Sequence, residues 1–216
     1  MKVKVVRRIL EANEKIAEDN RNLFKEKGIF TINLMSGPGA GKTSLLVRTI
    51  EALKDKVSIG VIEGDITGTD DAERINALDV PVVQINTEGA CHLDANMIRE
   101  ALEEIPLNDI RLLFIENVGN LVCPAEFNVG EDMKAMVLSI SEGDDKPLKY
   151  PLMFQESGAL IINKTDLLPH TDVDMGKIKR NALSLNSGLK IFEISCRTGT
   201  GLSDWTNYLT TLLATQ

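Results

Sequence analysis

The sequence predicts an α/β fold in which helices flank a mostly parallel central sheet, preceded by a separate N-terminal helix. Strand-like apolar runs alternate with helix-like runs from Phe30 to the C-terminal region, and this alternation is typical of a parallel sheet wrapped by helices. Several strand-like runs are continuously apolar, which indicates strands covered on both faces. A glycine-rich loop also joins the first strand to the helix that follows it, as in phosphate-binding folds.

Composition limits the classes of protein that the chain can represent. Its 216 residues are 43% hydrophobic, and the continuous alternation favours one domain over residues 1–216. The net charge of −8 argues against a nucleic-acid partner, because such sites need clustered Lys and Arg. No run of about 18 apolar residues predicts a membrane span. The N-terminus becomes charged too early for a secretory signal, and three Cys favour the reducing cytoplasm.

The elements follow one another with clear boundaries. A charged amphipathic helix is predicted from Val5 to Lys27, and Gly28 ends it. The predicted strands are Phe30–Met35, Val57–Glu63, Val82–Ile85, Arg111–Glu116, Ala135–Ile140, Ala159–Ile162 and Lys190–Ile194. The predicted helices are Thr43–Lys54, Asp70–Ala77, Leu93–Glu104, Asp174–Leu185 and Leu202–Leu213. The polar stretch from Glu142 to Pro147 is expected to form a solvated turn.

The loop after the first strand predicts a P-loop NTPase. Gly41, Lys42 and Thr43 fill the last three places of the motif G-x-x-x-x-G-K-[ST], whereas Ser36 stands at its first glycine. The backbone N–H groups of this loop, and the positive end of the dipole of the helix that follows, favour binding of an anion at the loop. Lys42 is expected to reach the β- and γ-phosphates, and Thr43 to ligate Mg²⁺. The predicted nucleotide-binding residues here are Gly37, Pro38, Gly39, Ala40, Gly41, Lys42, Thr43 and Ser44.

The end of the sixth predicted strand indicates that the base is guanine. Asn163, Lys164 and Asp166 form the pattern N-K-x-D. A carboxylate such as Asp166 accepts hydrogen bonds from guanine N1–H and the 2-amino group, and it would repel the acceptor N1 of adenine. Lys164 is expected to lie along the base, and Asn163 to tie this loop to the phosphate loop. The segment Ser195-Cys196-Arg197 is similar to the loop of GTP-binding proteins that contacts guanine through its backbone.

A strand that ends in a carboxylate predicts the nucleotide switch. Glu116 and Gly119 form an E-x-x-G variant of the usual D-x-x-G pattern, so that Glu116 would hold Mg²⁺ and the Gly119 N–H would meet the γ-phosphate. Asp65, which closes the stretch VIEGD from Val61, is a further candidate for Mg²⁺. The predicted catalytic residues are therefore Lys42, Thr43, Glu116 and Gly119. Because the sequence offers no assignable arginine finger or catalytic Gln, slow hydrolysis of GTP to GDP is expected.

Two thiols and one imidazole form a possible metal site. Cys91 and His92 are adjacent, and Cys123 lies just beyond the predicted switch. Thiolates and imidazole suit Zn²⁺, Ni²⁺ or Cu⁺. Since three ligands are one fewer than a closed tetrahedral site requires, water or a second chain completes the shell, or the site is open for transfer. Buried structural roles for the two thiols are an equally weighted alternative.

Longer stretches identify a family. The chain resembles the hydrogenase nickel-incorporation GTPases of the HypB family, a SIMIBI-class group of P-loop metallochaperones, over essentially its whole length. The resemblance is carried by GACHLDA from Gly89, ENVGNLVCPA from Glu116, EGDDKPLKYP from Glu142 and NKTDLL from Asn163. Ser36 at the first motif glycine is also similar to this family.

The resemblance implies a GTPase with GTP or GDP and Mg²⁺ that dimerises around nucleotide. It further implies a Ni²⁺ and/or Zn²⁺ site formed by Cys91, His92 and Cys123 at a dimer interface. The implied partners are a HypA-type nickel chaperone and the [NiFe]-hydrogenase large-subunit precursor. The chain departs from members with an N-terminal Cys-rich or His-rich metal motif, since no Cys precedes Cys91. Two alternatives stay open: another metal-insertion GTPase, of urease or cobalamin-enzyme type, and a metal-sequestering protein that works independently of nucleotide.

Overall fold

A seven-stranded sheet forms the centre of the computed structural model, which describes residues 2–66 and 68–215. The strands are β1 (Phe30–Ser36), β2 (Ile59–Asp65), β3 (Val82–Asn86), β4 (Leu112–Gly119), β5 (Met133–Ser139), β6 (Ala159–Asn163) and β7 (Lys190–Glu193). Their order is β3-β2-β4-β1-β5-β6-β7, and each neighbouring pair is parallel. The expected fold class is therefore confirmed.

Nine α-helices connect and cover these strands within the described ranges. They are α1 (Lys2–Lys27), α2 (Lys42–Leu53), α3 (Asp70–Asn76), α4 (Ala95–Ala101), α5 (Cys123–Glu126), α6 (Lys146–Lys149), α7 (Pro151–Gln155), α8 (Met175–Leu185) and α9 (Leu202–Ala214). None of the helices in this part of the chain is long and apolar enough to cross a bilayer.

Apolar packing on both faces explains why most residues of the central strands are hydrophobic. On one face, α2 and α9 bury Leu46, Ile50 and Trp205 against the sheet, and the Trp205 indole N–H donates to Thr49 Oγ1 at 3.1 Å. On the other face, α1 and α4 contribute Phe24 and Ile98 to a separate core. This double coverage removes both faces of the central strands from solvent.

The N-terminal helix is anchored by polar contacts as well as by apolar ones. The Asn20 side-chain amide donates to Ala95 O at 2.8 Å and to Val129 O at 3.1 Å. The Asn13 amide donates to Asn128 O, while its carbonyl oxygen accepts from Ala95 N, both at 2.8 Å. The helix thus grips the start of α4. Two residues of the predicted apolar face, Val6 and Ile9, have side chains outside the described ones.

Most predicted elements exist, with boundary shifts that have local causes. The helix predicted from Leu93 begins at Ala95 instead, because the Asp94 carboxylate caps it by accepting from Asn96 N and Met97 N at 2.9 Å. The expected turn at 142–147 is confirmed only at Asp144 and Asp145, and short helices lie on either side of these two residues. Ser139 and Glu142 form a capping box around a short 3₁₀ turn, and Lys146 opens α6.

Candidate functional site

The predicted phosphate loop lies where the strand order reverses. β1 has β4 on one side and β5 on the other, and ligands of open α/β sheets bind at such a point beyond the carboxyl ends of the strands. Gly41 precedes α2 with φ of +99°, a backbone conformation that favours glycine. A Cβ at Gly41 would lie 2.5 Å from Asn163 Nδ2. Close approach of the two loops therefore also requires glycine there.

Polar side chains at the base of this loop form a connected cluster. Lys42 Nζ donates to Ser36 Oγ at 3.1 Å, so the serine at the first motif position holds the lysine. The Thr43 hydroxyl lies 2.8 Å from both Glu116 Oε1 and Asp71 Oδ2. The sequence predicts Thr43 and Glu116 as ligands but not Asp71, which α3 brings to the loop.

A second buried carboxylate lies beside Glu116 on the neighbouring strand. Glu63 and Glu116 are partners in the register of β2 and β4, and both are 3% exposed. Burial, together with the neighbouring Glu116 and Asp65 carboxylates, raises the pKa of Glu63 to about 8. Burial also raises the pKa of Glu116 to about 7, although Lys42 and the Thr43 hydrogen bond oppose the shift. Glu63 was not predicted; only the strand register reveals it.

The donor set at this cluster fits a magnesium ion. Glu63 Oε2 and Glu116 Oε2 are buried without a hydrogen-bond partner among the described residues. Unpaired buried carboxylate oxygens are costly, and carboxylate and hydroxyl oxygens are the ligands that Mg²⁺ prefers. The third predicted magnesium residue, Asp65, is engaged differently: its carboxylate accepts from Ile66 N at 2.7 Å and from Gly68 N at 2.9 Å. It caps its own loop in this structure, and Asp71 lies at Thr43 instead.

The N-K-x-D segment lies directly on the phosphate loop. Asn163 Nδ2 donates to Ala40 O at 3.0 Å, and Lys164 Nζ donates to Gly39 O at 2.7 Å. Asp166 Oδ1 accepts a 2.6 Å hydrogen bond from the Ser195 hydroxyl. Cys196 N lies 3.4 Å from Asn163 Oδ1, so the two predicted base loops are joined to each other as well.

A cleft of about 560 Å³ opens between these loops. Its lining includes the following residues that the sequence predicted for nucleotide: Gly41, Ser44, Asn163, Lys164, Asp166, Cys196 and Arg197. Arg48 and Arg74 also line it and were not predicted. A smaller cavity of about 290 Å³ is formed around Lys42, Thr43, Asp71 and Glu116. A base and sugar would occupy the first, and a polyphosphate the second.

The end of β4 touches the phosphate loop. A Cβ at Gly119 would lie 3.0 Å from Pro38 Cα, so the expected γ-phosphate contact lies on backbone that packs tightly against the phosphate loop and leaves little room for a side chain. Beyond Gly119 the chain runs through three residues to α5, which begins at Cys123. The predicted switch and the second thiol are therefore consecutive pieces of one continuous segment.

The two thiols and the imidazole converge at the surface. The ligand atoms of Cys91, His92 and Cys123 all lie within 4.8 Å of one another. The two Sγ atoms are 3.1 Å apart, and Cys91 Sγ lies 3.5 Å from His92 Nδ1. The His92 ring packs on Phe127, with centroids 4.0 Å apart, and partial burial lowers its pKa, which favours the neutral, metal-binding imidazole. Cys91 is exposed and Cys123 is half-buried.

Comparison with known proteins gives one consistent result. Residues 30–193 match the family model for the nucleotide-binding domain of CobW, HypB and UreG. The hydrogenase maturation factor HypB of Rhizobium leguminosarum is 50% identical over 93% of this chain and 67% of its own length.

Two solved structures are similar over nearly the whole chain. HypB from Archaeoglobus fulgidus has a TM-score of 0.89 and 38% identity, and the match covers 94% of this chain and 100% of that one. HypB from Helicobacter pylori, solved in complex with nickel, has a TM-score of 0.88 and 35% identity over 94% and 95% of the two chains.

Proposed function

Because this chain belongs to the CobW/HypB/UreG family, and within it to the HypB hydrogenase maturation factors, we propose that it is a GTP-hydrolysing metallochaperone. Its cargo is nickel, bound by Cys91, His92 and Cys123 and passed on for [NiFe]-hydrogenase maturation. One observation carries the proposal: the ligand atoms of Cys91, His92 and Cys123 converge within 4.8 Å. The strand that carries Glu116 and Gly119 leads, through three residues, to the helix that begins at Cys123, and this supports a link to the nucleotide.

The nucleotide is held by groups with separate tasks. Backbone N–H groups of residues 37 and 39–44, together with Lys42, bind the phosphates, and the Lys42–Ser36 hydrogen bond of 3.1 Å aims the ammonium group. Asp166 selects guanine, because its second oxygen can accept from the base while Ser195 holds the first. Thr43 and Glu116, with Asp71 beside them, would hold Mg²⁺, which neutralises developing phosphate charge when bound.

The cargo site has a chemistry that suits transfer. Two thiolates and an imidazole favour Ni²⁺ or Zn²⁺, so zinc is the alternative cargo. Three ligands leave one position of a four-coordinate site for another donor. The exposure of Cys91 allows that donor to come from a second copy of the chain, from a HypA-type chaperone, or from the hydrogenase large-subunit precursor. We therefore include a nucleotide-dependent homodimer in the proposal, and the three free thiols suit the reducing cytoplasm.

The test is an anaerobic Ni²⁺ titration of the metal-free protein, with GDP and with a non-hydrolysable GTP analogue. We expect the affinity or stoichiometry to differ between the two nucleotides, because the switch segment leads into a ligand. The variant Cys123→Ala should bind nickel at least about tenfold more weakly while it retains its affinity for GDP. Phosphate release from GTP, followed in parallel, tests the hydrolysis itself.

The third thiol supplies the matched control. Cys196→Ala removes a cysteine that lines the nucleotide cleft rather than the cluster, and its nickel affinity should equal that of the parent. If Cys123→Ala retains the parent's nickel affinity, the ligand assignment is wrong. Identical nickel curves with the two nucleotides would instead favour a metal-sequestering protein whose site does not respond to GTP.

A further inference from the structure

A chain of buried polar side chains crosses the α1 face of the sheet beneath the metal ligands. We call these four residues, Asn33, Asn117, Glu131 and Lys134, the buried polar relay. Asn33 and Asn117 are fully buried, and Glu131 and Lys134 are 7% and 6% exposed. Burying so many polar groups is costly unless each one is hydrogen-bonded. Their partners therefore show what the relay holds in place.

One arm of the relay holds the segment that carries Cys91 and His92. Asn117 Oδ1 accepts from Leu93 N at 2.9 Å and from Val118 N at 3.0 Å. Leu93 immediately follows His92, and its side chain is fully buried. The position of the imidazole therefore depends on a side chain of β4.

The other arm holds the helix that carries Cys123. Asn117 Nδ2 donates to Asn33 Oδ1 at 3.2 Å, and Asn33 Nδ2 donates to Glu131 Oε1 at 3.2 Å. Lys134 Nζ lies 3.8 Å from the same Glu131 oxygen and donates to Ala125 O at 2.9 Å. Ala125 is two residues beyond Cys123 in α5. Both parts of the metal cluster are thus fastened to one connected set of side chains.

The nucleotide side of the sheet is one peptide unit away. Glu116 and Asn117 are consecutive in β4, so their side chains point to opposite faces. Glu116 Oε1 accepts from Thr43 at 2.8 Å on the phosphate-loop face, while Asn117 reaches Leu93 on the other. A backbone shift of Glu116 on binding of Mg²⁺ and nucleotide would therefore be passed to Asn117 through the single peptide unit between them.

We propose that Asn117 is the positioning residue that couples the nucleotide to the metal ligands. It transmits a change at Glu116 directly to Leu93. Through Asn33, Glu131 and Lys134 it transmits the same change to Ala125. This inference rests on the proposed function, since it deepens the link between the two sites. The buried polar relay suits this coupling because breaking one of its hydrogen bonds leaves a buried polar group unpaired, which costs free energy. A shift at one end therefore favours a matching shift at the other. Helix α1 fixes the far side: Asn13 and Asn20 hold Ala95, so a shift at Leu93 reorients His92 instead of moving α4 as a whole.

The experiment compares coupling in the parent and in Asn117→Ala. Nickel affinity is measured anaerobically with GDP and with the non-hydrolysable GTP analogue, and the ratio of the two dissociation constants is the readout. We expect a parent ratio of at least about 5, the lower end of typical coupling between sites, and a ratio near unity for the variant. Affinity for GDP should be unchanged, because Asn117 does not line the nucleotide cleft.

A matched control separates coupling from loss of stability. Asn186 also binds backbone through its side chain, donating to Ser157 O at 2.8 Å and accepting from Gly188 N at 3.0 Å, but it lies between α8 and β7, away from the relay. Asn186→Ala should lower the unfolding temperature and leave the ratio at the parent value. If folded Asn117→Ala keeps the parent ratio, the proposal is overturned.

Two further measurements apply if Asn117→Ala does not fold. Lys134→Met keeps the aliphatic stem but removes the bond to Ala125 O, and it should also bring the ratio towards unity; an unchanged ratio overturns the proposal. In the unaltered protein, hydrogen exchange of the Leu93 amide should differ between the two nucleotides, and equal protection would overturn it as well. A parent that binds nickel with a ratio of one contradicts the linkage in the proposed function itself, and the relay proposal fails with it.

Discussion

The nucleotide cleft and the metal cluster lie at the same end of the sheet but are built in opposite ways. The loops that line the cleft are held together by contacts within the chain: Asn163 Nδ2 donates to Ala40 O at 3.0 Å, and Lys164 Nζ donates to Gly39 O at 2.7 Å. The metal cluster is at the surface, with Cys91 exposed and three ligand atoms in all. One region has its donors held by hydrogen bonds before a ligand arrives, whereas the other leaves an exposed thiol at the surface.

This difference suits the nucleotide cleft to selective binding and the metal cluster to exchange of its metal. Pre-organised donors bind tightly and select sharply, because little ordering cost remains to be met on binding. An open site with an exposed thiol can exchange its metal with an incoming ligand. The cleft should therefore respond to substitution by losing selectivity, and the cluster should respond by losing affinity for the metal alone.

The largest effect is expected at the base-selecting carboxylate. Asp166→Asn should weaken GDP binding by about 100-fold or more, because a site built to accept from guanine is left with mismatched groups. Xanthosine diphosphate should then bind the variant better than GDP, since its 2-oxo group accepts from the new amide. Calorimetric titration with both nucleotides measures this.

The neighbouring carboxylate provides the control. Asp172→Asn removes an exposed carboxylate from the loop after the 3₁₀ turn Thr165–His170, and GDP affinity should not change. Equal losses of GDP and xanthosine diphosphate affinity in Asp166→Asn would show that Asp166 supports the fold of the loop rather than selecting the base.

A smaller effect is expected from oxidation of the cluster. The Sγ atoms of Cys91 and Cys123 are 3.1 Å apart, so diamide, as a two-electron oxidant, should join them in a disulfide and itself be reduced to the hydrazine. Nickel affinity should fall at least about tenfold, since both thiolates are lost as ligands, while GDP affinity is retained. Burial raises the pKa of Cys196 to about 11, and this thiol should react slowly.

Peptide mapping by mass spectrometry identifies the bond, and dithiothreitol should restore nickel binding. If oxidation lowers GDP affinity as much as nickel affinity, the two regions are not separable in the way that their construction indicates. Disulfides that instead join Cys196 to either thiol would contradict the convergence of Cys91 and Cys123.

Short motifs in the sequence were sufficient to predict residues that the structure brings together. Lys42, Thr43, Asn163 and Asp166 lie in two local patterns, and the structure places all four around adjoining cavities. The pairing of Glu63 with Glu116 could not be read in this way, because it depends on the register of β2 against β4.

Other features depend on contacts between residues far apart in the chain. Asn117 and Asn33 are separated by 84 positions, and no local pattern marks them as partners. The helices α5, α6 and α7 were missed because each has only four or five residues, too few for a helical period to emerge. Asp71 was missed because α3 brings it to Thr43 by packing alone.

The smallest predicted effect tests whether the buried carboxylates near the phosphate loop destabilise the folded protein when Mg²⁺ is absent. In the absence of Mg²⁺, the pKa of Glu63 is raised from 4.5 to about 8, so between these values the folded state holds more protons than the unfolded state. The stability linked to this group is present below about pH 4.5 and is lost as the pH rises towards about 8. Glu63→Gln should remove the part of the pH dependence that comes from Glu63, while Glu116, whose pKa is raised to about 7, retains its own part. The substitution should stabilise the metal-free protein at about pH 8 by roughly 1–3 kcal/mol, with little effect near pH 4.5.

Urea unfolding in EDTA across this pH range measures the effect, and Glu51→Gln, at a solvent-exposed helix position, is the control. Mg²⁺ with GDP should then stabilise the parent more than Glu63→Gln, because a ligand that binds the folded state offsets the penalty of unpaired carboxylates. A parent whose stability is flat with pH, or a variant that gains nothing at high pH, would mean that Glu63 finds a partner in solution. In that case the buried carboxylates would not lower the free energy of unfolding of the metal-free protein. The contrast between the nucleotide cleft and the open metal cluster would then rest on hydrogen bonding alone.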